Sequence, residues 1–543
     1  MARGRQQVRL RWSTGPNWAR PEGIGVILAW GLAGFALVIF ALLLTSGDSK
    51  SAPTPTAYIA RVVGFTLWQA VLSTALSLTA AVPMTRALAR RTAFPGRTLL
   101  IRLCALPMVM PTIVGIFGIV AVYGGSGYIG AAADRLGLGW RPHIYGLGGI
   151  LLAHVFFNLP LAVRLLLPAY AAVPSESWRL SAQLGMRERD ILQLIELPLL
   201  RQQLPGIAAI VFMLCFTTFA VALTLGGGPR ATTLEVAIYQ ALRFDFDLRL
   251  GSALALLQAL CCAIGALVVW RTGRQMEFGT ALRLAGQRFD GRSAPIRIGD
   301  FASIALGSLF LALPIAALFH RGLFGLPAAA PLPSLLRAGA ISLALGLASG
   351  LAATIAGYCL AQARQHATRL NQRWLAALIG LGGRLGLFVS PMVIGTGIFL
   401  ASAGRIDLYE YAAFGVILVS AILALPFVLG VLEPACALAA DRHDRLCAAL
   451  GVGGWHRFAT IDWPTLRKPI ATALALGSVI AMGDLSGIAL FGNQRLTNLT
   501  LLLYQQMAAY RLAGAASTAL LLLCLALAFY WTIEAVVGGR ELH

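Results

Sequence analysis

Arg179-Leu180-Ser181-Ala182-Gln183-Leu184-Gly185, then nine residues, then Ile195-Glu196-Leu197-Pro198, is a pattern that this chain contains twice. The second copy reads Arg445-Leu446-Cys447-Ala448-Ala449-Leu450-Gly451, nine residues, Ile461-Asp462-Trp463-Pro464, displaced throughout by 266. Pro160 and Pro168 return at the same offset as Pro426 and Pro434. Thr232-Thr233-Leu234 and Tyr239-Gln240 return as Thr497-Asn498-Leu499 and Tyr504-Gln505, offset 265. Upstream, Pro111 and Gly115 echo Pro391 and Gly395, offset 280. Spacing held over such a distance is the signature of internal duplication.

The composition decides what is duplicated. Of 543 residues, 58% are hydrophobic and only 12% charged, half the share of a soluble domain. Mean hydropathy is +0.77. These values exclude an ordinary soluble enzyme, a disordered chain and a disulfide scaffold. The apolar segments run to ~20 residues or more without alternation, the length of membrane-spanning helices rather than of barrel strands. Twelve spans are predicted, at 24–45, 65–85, 99–123, 145–167, 203–225, 250–271, 301–319, 338–362, 374–401, 412–432, 469–491 and 513–535. The first follows a basic leader, Met1 to Trp12. It is read as a retained helix because no small-residue cleavage site is clear.

The net charge of +21 comes almost wholly from arginine; Lys50 and Lys468 are the only lysines. With the N-terminus placed in the cytoplasm, inside segments carry 28 Lys+Arg and outside loops 12. That bias is the positive-inside rule, so both termini are expected in the cytoplasm and no nucleic-acid role is inferred. The fold expected is an all-α integral membrane protein of about 12 transmembrane helices in two parallel six-helix repeats, 1–270 and 301–543, joined by a basic cytoplasmic linker, 271–300.

Each copy of the Gly loop has a physical grammar. Pro174-Ser175 opens a short helix, apolar residues interleave with Arg179, and Gly185 suits a helix end that needs positive φ. An apolar-plus-arginine helix held below a membrane reads as a docking element, or as an interfacial helix lying on lipid. Pro198 is expected to mark the turn into the fifth span.

Polar groups within spans are candidate pathway residues, because lipid makes them costly. Asp484 leads, with Phe219 taken as its counterpart in the first copy. The alternative is a structural ion pair with Arg384 or Arg102, or a place near a helix end. Thr218, with Thr217, and Phe219 are candidates for the path wall, the ring as a stacking surface for a cation. Asn158 and His154 are candidates for the path or for interhelical hydrogen bonds. Gly115, Gly118, Gly346 and Gly350 fit close helix contacts. The loops 226–249 and 492–512 form a matched outer pair carrying Arg230, Glu235, Asp245, Asp247, Arg495 and Arg511. No GxxxxGK[ST] loop, metal-spaced cluster or catalytic triad stands out, so no cofactor is expected on this chain.

The Gly loop, at this place between the fourth and fifth helices of a six-helix unit, resembles the EAA loop of bacterial ABC importer permeases. Arg179 and Arg445 stand where that family usually has Glu, and Trp463 replaces Leu. The resemblance implies a type I importer fold in a bacterial inner membrane, with 175–190 and 441–456 as coupling helices. Arg179, Ala182, Gly185, Ile195 and Pro198, with Arg445, Ala448, Gly451, Ile461 and Pro464, would couple to two copies of an ATP-binding subunit, where the ATP sits. A periplasmic substrate-binding protein would dock on the other side. Leu225 to Leu242, Phe244-Asp245-Phe246-Asp247 and Val122-Tyr123-Gly124 resemble the fused thiamine/thiamine pyrophosphate permeases, with ferric-iron permeases next. The implied role is a transport subunit that is not itself an enzyme. The rivals are an ion-gradient-driven carrier and a membrane scaffold.

Overall fold

The computed structural model describes residues 20–45, 56–139, 142–271, 288, 293–326, 330–402, 411–452, 454–493 and 495–539. Among them the regular structure is helical, with no strand. In a hydrocarbon solvent a helix satisfies its own backbone polar groups, and this composition leaves no other way to do so. Among the described residues ten helices are long and apolar enough to cross a membrane. The chain is an all-α, multi-pass membrane protein, as its composition predicts. The basic leader, and the linker apart from Arg271, Arg288 and 293–300, lie outside the described residues.

Four of the expected spans are interrupted, and the interruptions match between the two copies. The third span divides into Arg97–Leu103, Leu106–Val109 and Thr112–Tyr123. The ninth divides into Arg373–Gly382, Leu385–Phe388 and Pro391–Ser402. Pro111 and Pro391 sit at these breaks, where each lacks an N–H and holds the preceding residue out of the helical region. The fifth span stops at Phe216 and restarts at Ala220; the eleventh stops at Gly483 and restarts at Ser486.

The two copies interlock through their first helices. Pro21–Thr45 packs on Leu332–Arg369 of the second copy. Ala294–Phe324 packs in turn on Thr56–Arg90 and Thr112–Tyr123 of the first. Small residues make both approaches possible, as expected where lipid supplies no hydrophobic drive between helices. A Cβ on Gly25 would fall on the Cys359 carbonyl, and one on Gly118 would lie 2.7 Å from the Pro314 carbonyl oxygen. Gly115, Gly346 and Gly350 are similarly tight, against Phe157, Met482 and Ser478. Matched hydroxyls also tie the short helices Leu234–Arg243 and Leu499–Ala508 to the bundle. Thr66 Oγ1 accepts from the Leu234 N–H at 3.0 Å, and Ser342 Oγ accepts from the Leu499 N–H at 2.9 Å.

The interlock predicts a packing asymmetry. Gly118→Val should destabilise the folded chain by about 1–3 kcal/mol through overpacking against Pro314. Gly31→Val, at a site with open space around it, should leave the denaturation midpoint unchanged. Thermal or denaturant unfolding in detergent checks both.

Candidate translocation path and paired Gly loops

One break from each of the four interrupted spans meets at a common place. These breaks line a cavity of 250 Å³ to which both copies contribute: Met110, Pro111, Thr217, Thr218 and Phe219 from the first, Pro391, Asp484 and Ser486 from the second. Broken helices with their ends at a shared cavity are the arrangement by which membrane carriers expose backbone dipoles to a cargo.

Asp484 sits in the gap between Trp463–Gly483 and Ser486–Phe491 and is 8% exposed. Its Oδ1 accepts from the Ser486 N–H at 2.9 Å, and its Oδ2 from the Gly487 N–H at 3.2 Å. Ser420 Oγ donates to Oδ2 at 3.0 Å. The carboxylate thus caps a helix start that would otherwise leave donors unmet. It forms no ion pair with a described residue. Arg384, one of the two partners considered for it, instead bonds Glu433 at 2.7 Å, which also takes Arg364 at 2.6 Å. The helix end, not a salt bridge, explains the position of Asp484.

Two sequence readings need correction. The counterpart of Asp484 is Thr218 rather than Phe219. The helices on both sides of the break align at offset 266, and the single-residue deletion falls later, in the loop before Leu499. Phe219 matches Leu485; it lines the cavity and meets Tyr239 edge-on at 5.2 Å. Asn158 does not line the cavity. It is buried and donates to Cys215 Sγ at 3.3 Å, while His154 Nδ1 and Ser73 Oγ are 2.7 Å apart. Both act between helices.

Glu235 lies among the charges of the first outer loop in the sequence, yet the fold buries it completely. Gln258 Nε2 donates to its Oε1 at 2.6 Å. The available signal was its setting: Leu234, Val236, Ala237 and Ile238 surround it with apolar residues. Arg230, Asp245, Arg495 and Arg511 are exposed in the outer loops, beside exposed Phe244, Phe246 and Tyr510. Arg243 Nη2 donates to the Gly492 carbonyl at 3.0 Å and joins the two loops.

At the opposite, basic end stand the Gly loops. Ser175–Gln183 is a separate helix that buries Trp178 and Ser181. It exposes Arg179, Leu180, Ala182 and the neighbouring Leu184. Gly185 follows at φ +63°, and Gly451 at φ +66°. A side chain at either site would adopt the left-handed region at a cost. The second loop departs from the expected separate helix: Ala412–Leu450 runs through without a break. Pro174 explains the difference, because its equivalent is Ala440, which keeps its N–H. Arg445, Leu446 and Leu450 are nonetheless exposed like their counterparts. Ala448 lies in this helix, and its side chain is outside the described residues. Nor does the turn into the fifth span occur at Pro198. Both loops return through a five-residue π-helical turn, Leu192–Glu196 and Phe458–Asp462, continuous with the following helix. The wider i→i+5 register accommodates a proline at the next helix start. Ile195 and Ile461 are half-buried; Pro198 and Pro464 are exposed.

Buried acids anchor these turns. Glu196 bonds Arg86 at 2.7 Å. Asp462 accepts from Tyr358 Oη at 2.9 Å, Gln362 Nε2 at 3.1 Å and Arg457 Nε at 3.2 Å. Arg457 also meets Asp444 at 2.7 Å. Burial alone would lower the Arg457 pKa, but Asp462 and Asp444 outweigh it and hold the guanidinium above its ordinary range.

A duplicated helical bundle whose broken helices close on a cavity between its copies has the construction of a membrane transport permease. No family model matches the chain. It is 44% identical over 530 residues to the thiamine transport system permease protein ThiP of Brucella abortus, covering 96% of each chain. It is 40% identical over 527 residues to that of Escherichia coli, covering 96% of this chain and 97% of the other. For Haemophilus influenzae the identity is 37% over 475 residues, 86% and 87% of the two chains. The chain belongs to the family of thiamine transport system permease proteins.

The capping geometry predicts that Asp484→Ala destabilises the fold by about 1 kcal/mol. Asp484→Asn keeps a side-chain acceptor and should lose less. Unfolding midpoints of the two variants in detergent check the order.

Proposed function

We propose that this chain is the membrane-spanning subunit of an ATP-driven importer in a bacterial inner membrane, and that its cargo is thiamine or a thiamine phosphate. Membership of a family whose members carry that cargo in their names, at 40–44% identity over 96% of the chain, is the observation that carries the reading. Asp484 supports it chemically. A buried carboxylate ion-paired to no described residue complements a thiazolium cation, and Phe219 adds a ring to the same cavity. Thr218 lines that cavity too.

The basic end is assigned to the cytoplasm by its arginines, and with it both termini. Each Gly loop then seats one of two ATP-binding subunits, which hold the ATP. The exposed pairs Leu180/Leu184 and Leu446/Leu450 give the contact its apolar part, with Arg179 and Arg445 beside them. The opposite loops, with Phe244, Phe246 and Tyr510 exposed, face a periplasmic binding protein. Closure of the ATPases would rock the halves 1–270 and 301–543 about the cavity. ATP supplies the bias by binding the closed state more tightly.

The test is ATP hydrolysis by the complete complex in lipid, with thiamine and ferric iron compared. Thiamine-loaded binding protein should stimulate hydrolysis, and Asp484→Asn should reduce that stimulation about tenfold or more while the complex still assembles. Stimulation by ferric iron alone would overturn the cargo. Separately, Gly185→Val with Gly451→Val should reduce copurification of the ATP-binding subunit; uptake that survives this loss and collapses with the ion gradient would overturn the ATP-driven class.

A further inference from the structure

The two Gly loops face the same physical problem and solve it from different places in the chain. Each places a carboxylate, Glu196 or Asp462, in a buried π-helical turn. A buried carboxylate needs hydrogen bonds and a counter-charge. The second loop finds its guanidinium within itself: Arg457 bonds both Asp462 and Asp444. At the 266 offset the first loop has neither residue. Ile191 stands for Arg457, and Trp178 for Asp444.

Glu196 instead takes its guanidiniums from outside the loop: Arg86 of the second span bonds one carboxylate oxygen at 2.7 Å, and a residue of the connection between the copies bonds the other. Arg288 Nη2 lies 2.7 Å from Glu196 Oε1, with the two side chains 1% and 0% exposed. Its guanidinium lies over the Trp178 ring at 4.1 Å. Trp178 is itself among the largest fully buried side chains. A planar cation suits this pocket because one face stacks on the indole while the edge donates to the acid.

We propose that Arg288 is a positioning residue for the first Gly loop. It clamps the helix Ser175–Gln183, through Trp178, to the turn Leu192–Glu196, through Glu196. That turn is continuous with Leu197–Phe216, whose far end carries Thr217 to Phe219 at the cavity. Arg288 is therefore part of the transmission from loop to cavity. The transmission role rests on the reading of the loops as seats of the ATP-binding subunits; the clamp does not.

Amide hydrogen exchange on the full chain tests the clamp. Arg288→Ala should speed exchange across 175–185 about tenfold or more while 441–451 stays unchanged. Arg457→Ala should give the converse. Arg288→Lys keeps the charge but not the planar stack, and should fall between wild type and Arg288→Ala. No change at 175–185 in Arg288→Ala, or an equal rise at both loops, would overturn the clamp. In the complete complex, Arg288→Ala should lower the ratio of cargo-stimulated to basal ATP hydrolysis with the ATP-binding subunit still bound; an unchanged ratio would overturn the transmission role. A wild-type complex lacking ATP-linked activity would sink the importer reading instead and leave the exchange result standing.

Discussion

The backbone's need for internal hydrogen bonds in a medium without water governs this molecule. A helix that breaks within the membrane releases N–H and C=O groups that lipid cannot satisfy, so a break survives only where protein surrounds it. One break from each of four spans meets at one cavity between the two copies. Asp484 shows how such a break is stabilised, since its carboxylate takes up two N–H groups of the restarted helix. The group that repairs the backbone is the same group that gives the cavity its charge. The helix cap and the cavity wall therefore share one side chain.

The second constraint is that the copies cannot be independent. Each first helix lies on the other copy, with glycines at the closest approaches. In lipid, where apolar side chains gain nothing by leaving solvent, close backbone packing is the main cohesion available. An exchanged helix ties each copy to its partner. The outer loops add a direct bond through Arg243 and the Gly492 carbonyl.

The charges at the basic end do more than set orientation. Arg90 and Arg91 hold Asp300, so the start of the second copy is pinned to the second span of the first. Arg86 and Arg288 hold Glu196. Ion pairs of this kind hold specific geometry at a cost in desolvation, and leaving one partner alone is the expensive state. The asymmetry between the loops, one with Pro174 and Trp178, the other with Ala440 and Asp444, shows that duplication preserved the turn and let its supports diverge.

Periodic features were legible in the sequence. The 266-residue repeat, the apolar runs and the arginine bias are properties of local composition and spacing, and they determined a duplicated helical membrane protein before any contact was known. The open faces of the Gly loops and the positive φ at Gly185 and Gly451 followed from local chemistry too. Tertiary structure alone decided which polar residues share a space. Asp484, Thr218 and Phe219 line one cavity, while Asn158 faces a cysteine. Hydropathy averages over a span, so a run of apolar residues hid the breaks at Pro111 and Pro391. Glu235 and Arg288 lie in segments that composition marks as exposed. Only the packing of distant helices removed both from water, because burial is set by what lies opposite a residue and not by its neighbours in the chain.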